Sequence, residues 1–240
     1  TYEIIVVDNA SRDDSIDFLK QAYPSVIILP MKTNACWFSI NDGIKNSSYD
    51  PVFLLNNDIK LDKFCIKHLF EHFKKDDGTL FAVTPKEMGW DGGAYTKGAQ
   101  GIAIKNEAFY LTKNFDFDEA HITFKADNSM YAKDKLIKLD LFDPLFSPFY
   151  FEDYDISYRA WKAGFKIIYE PRAIVYHNAG ATINKYLNAD EKIKYGFKNS
   201  LLFIWKNVTD TGLFLNHIFF LLTRLIKGLF FFKRKKTIFL

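Results

Sequence analysis

Cysteine is scarce in this chain, with Cys36 and Cys65 the two examples among 240 residues. Their spacing fits no zinc motif, and so few thiols exclude a disulfide-stapled scaffold. They read as reduced, buried thiols of a reducing compartment, with one lone disulfide as the alternative. Charge of one sign is also scarce. The formal net charge is +3, and no basic stripe with interleaved aromatics is present, which argues against nucleic acid as a partner. The basic cluster Lys233 to Lys236 follows an apolar run instead. No internal repeat and no low-complexity segment occurs. Global disorder is excluded by 48% hydrophobic and 25% charged residues, ordinary values for a globular protein. An initiator Met and a signal peptide are both missing, since Thr1 leads straight into the strand pattern Tyr2 to Val7. The chain reads as a fragment of something longer. What stands in excess is Phe, 25 against 4 Trp.

The length suits one α/β domain plus an appendage, or two small domains. Ile4 to Val7 is a β-branched run without alternation, the pattern of a strand buried on both faces. Ser11 followed by Asp14 predicts a capping box for a helix carrying Ile16, Leu19 and Tyr23, which Pro24 stops. Val26 to Leu29 is the next strand. A helix is expected over Trp37 to Lys45 and a strand over Val52 to Leu55. An amphipathic helix then carries Ile66, Leu69, Phe70 and Phe73, followed by a strand over Leu80 to Val83. This alternation predicts an α/β fold, a mainly parallel sheet with helices on both faces. Ligands of such sheets bind beyond the carboxyl ends of the strands. Asp8 and Asp58 fall at two such ends, where one ligand could touch both. From Pro85 to Leu141 the pattern is irregular and glycine-rich, and no strand is placed there. Order returns with a helix over Asp153 to Ala163, strands over Lys166 to Tyr169 and Ala173 to Tyr176, and a helix over Asp190 to Lys206.

Three groups of residues could carry chemistry. Asn56-Asn57-Asp58 follows an apolar strand. A carboxylate there can hold a divalent cation that also grips a diphosphate, since Mg²⁺ and Mn²⁺ favour few protein carboxylates plus phosphate oxygens. The same residues also suit a polar turn. Glu152, Asp153 and Asp155 stand within four positions and are hemmed by aromatics. Crowded carboxylates have at least one raised pKa, as a general base needs, yet acidic residues also favour any helix N-terminus. His177, just past Val175-Tyr176, is either a metal ligand or a structural imidazole.

Order and spacing then add a resemblance. Val6 to Ser11, Leu54 to Asp58, and above all Asp140 to Phe146 running on to Glu152 to Trp161, Tyr169 to Ala173 and His177, resemble family 2 glycosyltransferases of the rhamnosyltransferase-like branch. The resemblance covers residues 1 to 206. It implies a GT-A, Rossmann-like fold and a metal-dependent, inverting transfer of sugar from a nucleotide donor, dTDP-rhamnose or a UDP-sugar. It places Asp8 at the nucleotide base, and Asn56 and Asn57 along the ribose and diphosphate. Asp58 and His177 would bind Mg²⁺ or Mn²⁺. Asp153 would be the base toward the acceptor hydroxyl, with Glu152 beside it, and Asp155 and Arg159 would support their helix. The pattern departs from the family in three places. The family's first strand and helix are missing, the loop after Asn34 reads Ala-Cys-Trp-Phe-Ser, and Asp127-Asn128-Ser129 replaces a small-residue pair. Asp127 therefore stands where acceptor contacts or site support are expected. A non-catalytic module that binds nucleotide sugar or a partner is the alternative.

Residues 207 to 240 form the expected helical appendage. Leu213 to Phe232 is apolar and long enough to span a bilayer. Yet Asn216, Thr223 and Lys227, with His217, Arg224 and Gly228, recur at helical spacing as one polar stripe. Arg224 and Lys227 near the centre argue against a span. They suit a helix lying on the membrane surface, with a basic tail toward anionic lipid; packing on the domain or on a second subunit is the other reading. A lipid-linked or polysaccharide acceptor of the cell surface would explain such a helix. The expected location is cytoplasmic, on the inner face of the cell membrane.

Overall fold

A computed structural model of the chain describes residues 1–105, 108–112, 114–178 and 187–237. The first unit is a parallel pair, β1 (Ile5–Asp8) and β2 (Ile27–Pro30), joined by α1 (Ser15–Ala22). A 3₁₀ turn (Cys36–Ser39) leads into α2 (Ile40–Asn46), which packs against β1. That approach needs Gly43, because a Cβ there would sit 2.8 Å from Val7 Cγ2. Then come β3 (Val52–Phe53), β4 (Ile59–Leu61), α3 (Cys65–Phe73) and the long β5 (Leu80–Gly89).

The glycine-rich middle resolves into short strands. These are β6 (Tyr95–Lys97), β7 (Ile102–Lys105), β8 (Ala108–Leu111), β9 (His121–Ile122) and β10 (Met130–Tyr131), followed by α4 (Lys133–Lys138). The chain closes with α5 (Glu152–Lys162), β11 (Lys166–His177), α6 (Ala189–Asn207) and α7 (Thr211–Thr237). The larger sheet has the order β3-β10-β5-β11-β4, with β6 against β5 and β9 against β11. The parallel pairing expected from the sequence holds for β1–β2 and β5–β11. The other pairs are antiparallel, most of them made by the short strands of the middle segment. Among the described residues no ladder joins β1–β2 to the larger sheet.

Helices cover both faces of that sheet. On one face Phe81, Tyr131 and Ile167 pack with Ile44 of α2, Leu136 of α4, Ile156 of α5 and Phe203 of α6. On the other, Val83, Met130 and Val175 pack on Cys65 and Leu69 of α3. Met130 and Tyr131 show the rule in miniature, since neighbours on a strand face opposite ways. Each large side chain so buried contributes roughly 1.5–3 kcal/mol.

Several expectations change here. The two strands read over residues 166 to 176 are one strand, with a register shift between Glu170 and Ile174 that accommodates Pro171. The Ser11 capping box does not form. The helix starts at Ser15 without a side-chain cap, because the Ser11 N–H donates to Asp8 Oδ1 at 3.1 Å. Both cysteines are free thiols, Cys65 buried and Cys36 half-buried. On α7 the polar stripe splits. His217 turns inward, 1% exposed, and accepts a hydrogen bond from Trp205 Nε1 at 3.0 Å. Leu215, Phe219, Leu222 and Ile226 are exposed. No described helix is long and apolar enough to cross a membrane.

Candidate active site

The site begins with a forced turn. Tyr150 and Phe151 have φ of 72° and 75°, a left-handed pair without glycine, and such residues persist only where their surroundings hold them. The holder is Asn199 of α6, fully buried, whose Nδ2 reaches the carbonyls of Phe146, Phe149 and Tyr150 at 2.7–2.9 Å. The turn starts α5 at Glu152 with no side-chain cap, so two carboxylates meet the positive end of the helix. Asp153 Oδ1 accepts the Tyr154 N–H at 2.8 Å, and its Oδ2 lies 2.7 Å from Lys125 Nζ. Glu152 differs, since its Oε2 is buried without a hydrogen-bond partner. Burial, with the adjacent charge of Asp153, pushes its carboxyl up to about 8.

The strand ends supply the second group. β11 finishes at His177, opposite Ile59 at the start of β4, and the Asn178 N–H donates to the Asp58 carbonyl at 3.1 Å. This register brings His177 Nε2 to 3.2 Å from Asp58 Oδ1. On the other side of the ring, Glu87 Oε2 of β5 is 3.1 Å from Nδ1. Burial would lower the imidazole pKa, but the bond to Glu87 and the charges of Glu87 and Asp58 prevail and raise it. Asp58 Oδ1 is buried without a hydrogen-bond donor, and a carboxylate behind the second ring nitrogen is the usual support of a metal-binding His. These two side chains therefore fit a divalent ion. No group of three or more His, Cys, Asp or Glu side chains among the described residues could hold one unaided. The remaining ligands would be phosphate oxygens and water, as Mg²⁺ and Mn²⁺ commonly take.

Two lysines, Lys125 nearly buried and Lys97 partly exposed, link the halves. Lys97 Nζ lies 3.2 Å from Glu87 Oε2 and 3.1 Å from Asp127 Oδ2. Lys125 Nζ lies 2.8 Å from the same Asp127 oxygen. Burial opposes the charge on Asp127, yet the two ammonium groups hold its carboxyl well below the usual range. The segment carrying Lys125 and Asp127 is itself pinned. Ala126 N–H donates to Ser157 Oγ at 3.2 Å, and Tyr131 OH donates to the Ala126 carbonyl at 2.9 Å.

One cleft of about 540 Å³ is lined by Asn56, Asp127, Glu152, Asp153 and His177, together with Lys97, Lys125 and the aromatic Trp37, Tyr150 and Tyr154. Asp58 faces the Nε2 side of His177 and is not itself part of the cleft lining. Asn57 is exposed. Asp8 is buried at the end of β1 and, like Asp58, does not line the cleft. Asp155 and Arg159 belong to α5 but do not line the cleft. The buried Asp155 carboxylate takes Arg159 at 2.7 Å, Lys206 at 2.9 Å and Asn207 at 2.9 Å. Arg159 reaches on to the carbonyls of Leu139 and Leu141. Sequence reasoning missed Glu87, Lys97 and Lys125. A signal existed in Lys125-Ala126-Asp127, two opposite charges with the same facing on an extended chain.

Comparisons with known proteins bear on the family and the fold. The sequence model described as Glycosyl transferase family 2 matches residues 1–140. The poly-beta-1,6-N-acetyl-D-glucosamine synthase of Staphylococcus aureus (strain COL) is 23% identical over 177 residues, covering 72% of this chain and 42% of that protein. The chain thus spans under half the length of that relative. A dolichyl N-acetyl-alpha-D-glucosaminyl phosphate 3-beta-D-2,3-diacetamido-2,3-dideoxy-beta-D-glucuronosyltransferase of Methanococcus voltae is 21% identical, covering 96% of this chain and 74% of that protein. Among solved structures, GalNAc-T7 with UDP, GalNAc and Mn²⁺ superposes with a TM-score of 0.60 at 15% identity, over 73% of this chain and 37% of that one. S. aureus TarS 1–349 in complex with UDP gives 0.53 at 13% identity, over 81% and 60%. The α/β fold is thus of the GT-A type these glycosyltransferases share, and with a family match over more than half its residues the chain belongs to glycosyl transferase family 2.

Proposed function

We propose that the chain is an inverting glycosyltransferase that moves a sugar from a nucleoside diphosphate donor to an acceptor hydroxyl. One observation carries this reading: a single cleft holds the anchored carboxylate of Asp153 and the His177 imidazole that faces Asp58. Asp153 takes the proton of the acceptor hydroxyl. The freed oxygen attacks the anomeric carbon from the side away from the diphosphate, and the bond to the diphosphate breaks with its electron pair. Displacement on that line inverts the anomeric centre. Asp58 and His177 would hold Mg²⁺ or Mn²⁺, which neutralises charge on the leaving diphosphate when bound. Asn56 and Asn57 are assigned to the ribose and diphosphate, and Asp8 to the base at the end of β1. Support for a nucleotide donor comes from the UDP held by the two solved relatives.

The donor is a UDP-sugar or dTDP-rhamnose. The acceptor is a lipid-linked or polysaccharide precursor of a cell-surface glycan, a reading supported by the names of the curated relatives. Residues 1–206 form the catalytic domain and 207–240 the appendage. Exposed Leu215, Phe219, Leu222 and Ile226 recur along one side of α7, and the sequence then runs into Lys233 to Lys236. This pattern fits a helix lying on an anionic membrane surface, and the inner face of the cell membrane is the proposed location.

The test uses water as acceptor. The protein is incubated with Mn²⁺ and, in turn, UDP-N-acetylglucosamine, UDP-N-acetylgalactosamine and dTDP-rhamnose. Proton NMR reads the first-formed anomer of the released sugar. An anomer opposite to the donor's is expected from at least one of them. Retained configuration, or no turnover of any donor, contradicts the proposal.

A further inference from the structure

The two lysines of the cleft first suggest an anion-binding pocket. The contacts argue otherwise. Lys97 already touches Glu87 and Asp127, and Lys125 already touches Asp127 and Asp153, each within 3.2 Å. Neither cation is left over for a substrate phosphate or carboxylate. Their geometry is that of a brace. We propose that Lys125 is a positioning residue for glycosyl transfer, clamping Oδ2 of Asp153 against Asp127 so that the base faces the acceptor. This rests on the reading of Asp153 as the base.

Three observations support the clamp. Lys125 Nζ sits 2.7 Å from Asp153 and 2.8 Å from Asp127, and its side chain is 10% exposed. Its ammonium also lies 4.9 Å from the centre of the Tyr154 ring, which bounds it on another side. Burial would discharge a lone lysine, but the charges of Asp127 and Asp153 hold this one well above its usual pKa, so it is a permanent cation. The brace also continues. From Asp127 the contacts pass through Lys97 and Glu87 to His177. A fixed run of alternating charges therefore ties the N-terminus of α5 to the ends of β5 and β11. It sets the base and the leaving-group side of the cleft in one frame, which matters because small misplacements are costly to rate.

The proposal predicts a split between binding and turnover. Lys125→Met should lower kcat for donor hydrolysis ten- to a hundredfold, while affinity for UDP with Mn²⁺, measured calorimetrically, stays within about threefold of wild type. Lys125→Arg keeps the charge and should recover most of the rate. It also serves as the second variant where Met impairs folding, which the melting temperature reports. In an Asp153→Asn background, Lys125→Met should change the residual rate less than twofold, because the clamp then has no base to hold. A Lys125→Met enzyme that keeps full kcat, or loses UDP affinity in step with kcat, overturns the proposal. So does a Lys125→Arg enzyme that folds but is as slow as Met. Asp153→Asn with undiminished turnover is a separate outcome, and it removes the base assignment itself.

Discussion

Glu152 and Asp153 are neighbours in sequence and in the cleft, yet they are engaged in opposite ways. Asp153 has one oxygen on the Tyr154 N–H and the other on Lys125. Glu152 lies half-buried beside it, its buried Oε2 unpartnered. One helix N-terminus thus presents a tethered carboxylate and an untethered one. The untethered one is best accommodated as the neutral acid.

A stability prediction follows from that difference. The Glu152 carboxyl is raised from 4.5 to about 8 by burial and by the charge of Asp153. Its favourable contribution to the folded state is fully present below about 4.5 and is lost as pH rises to about 8. Glu152→Gln removes this loss. The melting temperature of the variant should gain on wild type between pH 5 and 8, by several degrees, and the difference should level off above pH 8 to 9. Parallel melting curves across that range would contradict the assignment.

Glu170 should show the reverse dependence. It is buried on β11, with His72 Nε2 at 2.7 Å and Arg172 Nη2 at 2.7 Å. Burial opposes its charge, but the bonds from Arg172 and His72 win and hold the carboxyl down to about 2. Its contribution is present above about 4.5 and lost as pH falls toward 2. Glu170→Gln should cost about 2 kcal/mol at pH 7, less than the full shift implies because Arg172 reaches into solvent. Urea unfolding at pH 7 and pH 3 should show the two proteins converging at the lower pH.

Asp155 should prove structural. Its buried carboxylate joins Arg159 of α5 to Lys206 and Asn207 of α6. Asp155→Ala takes the carboxylate from Arg159 and leaves Lys206 with Asp143, and should cost about 3 kcal/mol. Urea unfolding measures the loss, and a change below about 1 kcal/mol would contradict the role.

The appendage makes its own prediction. Wild-type protein should float with vesicles containing a third phosphatidylglycerol and remain behind with neutral phosphatidylcholine. Phe219→Asp with Leu222→Asp should abolish flotation without changing donor turnover in solution. Equal flotation of wild type and variant would place the apolar face elsewhere, and a concentration-dependent dimer in sedimentation would name a second copy as its cover.

Strands with apolar runs were legible in the sequence because their burial is written in consecutive residues, as in Leu80-Phe81-Ala82-Val83. The middle segment was not. β9 and β10 are two residues each, too short for a period, and their partners on β11 and β5 lie far along the chain. The cleft was legible in part where carboxylates cluster, at Glu152-Asp153. The brace was not, because Glu87 and Lys97 fall in the irregular segment where the sequence places no strand; they become a pair only through the antiparallel register of β5 and β6. His217 was read on a polar stripe, since nothing in α7 itself announces Trp205 as its partner.

The central claim is that Asp153 deprotonates the acceptor in a cleft that binds a nucleotide donor. The most direct test is the single-turnover rate of transfer from a saturating donor, wild type against Asp153→Asn, with UDP affinity measured on the same preparations. The account predicts a loss of at least a hundredfold in rate with UDP affinity unchanged. An Asp153→Asn protein that transfers sugar at the wild-type rate would contradict it.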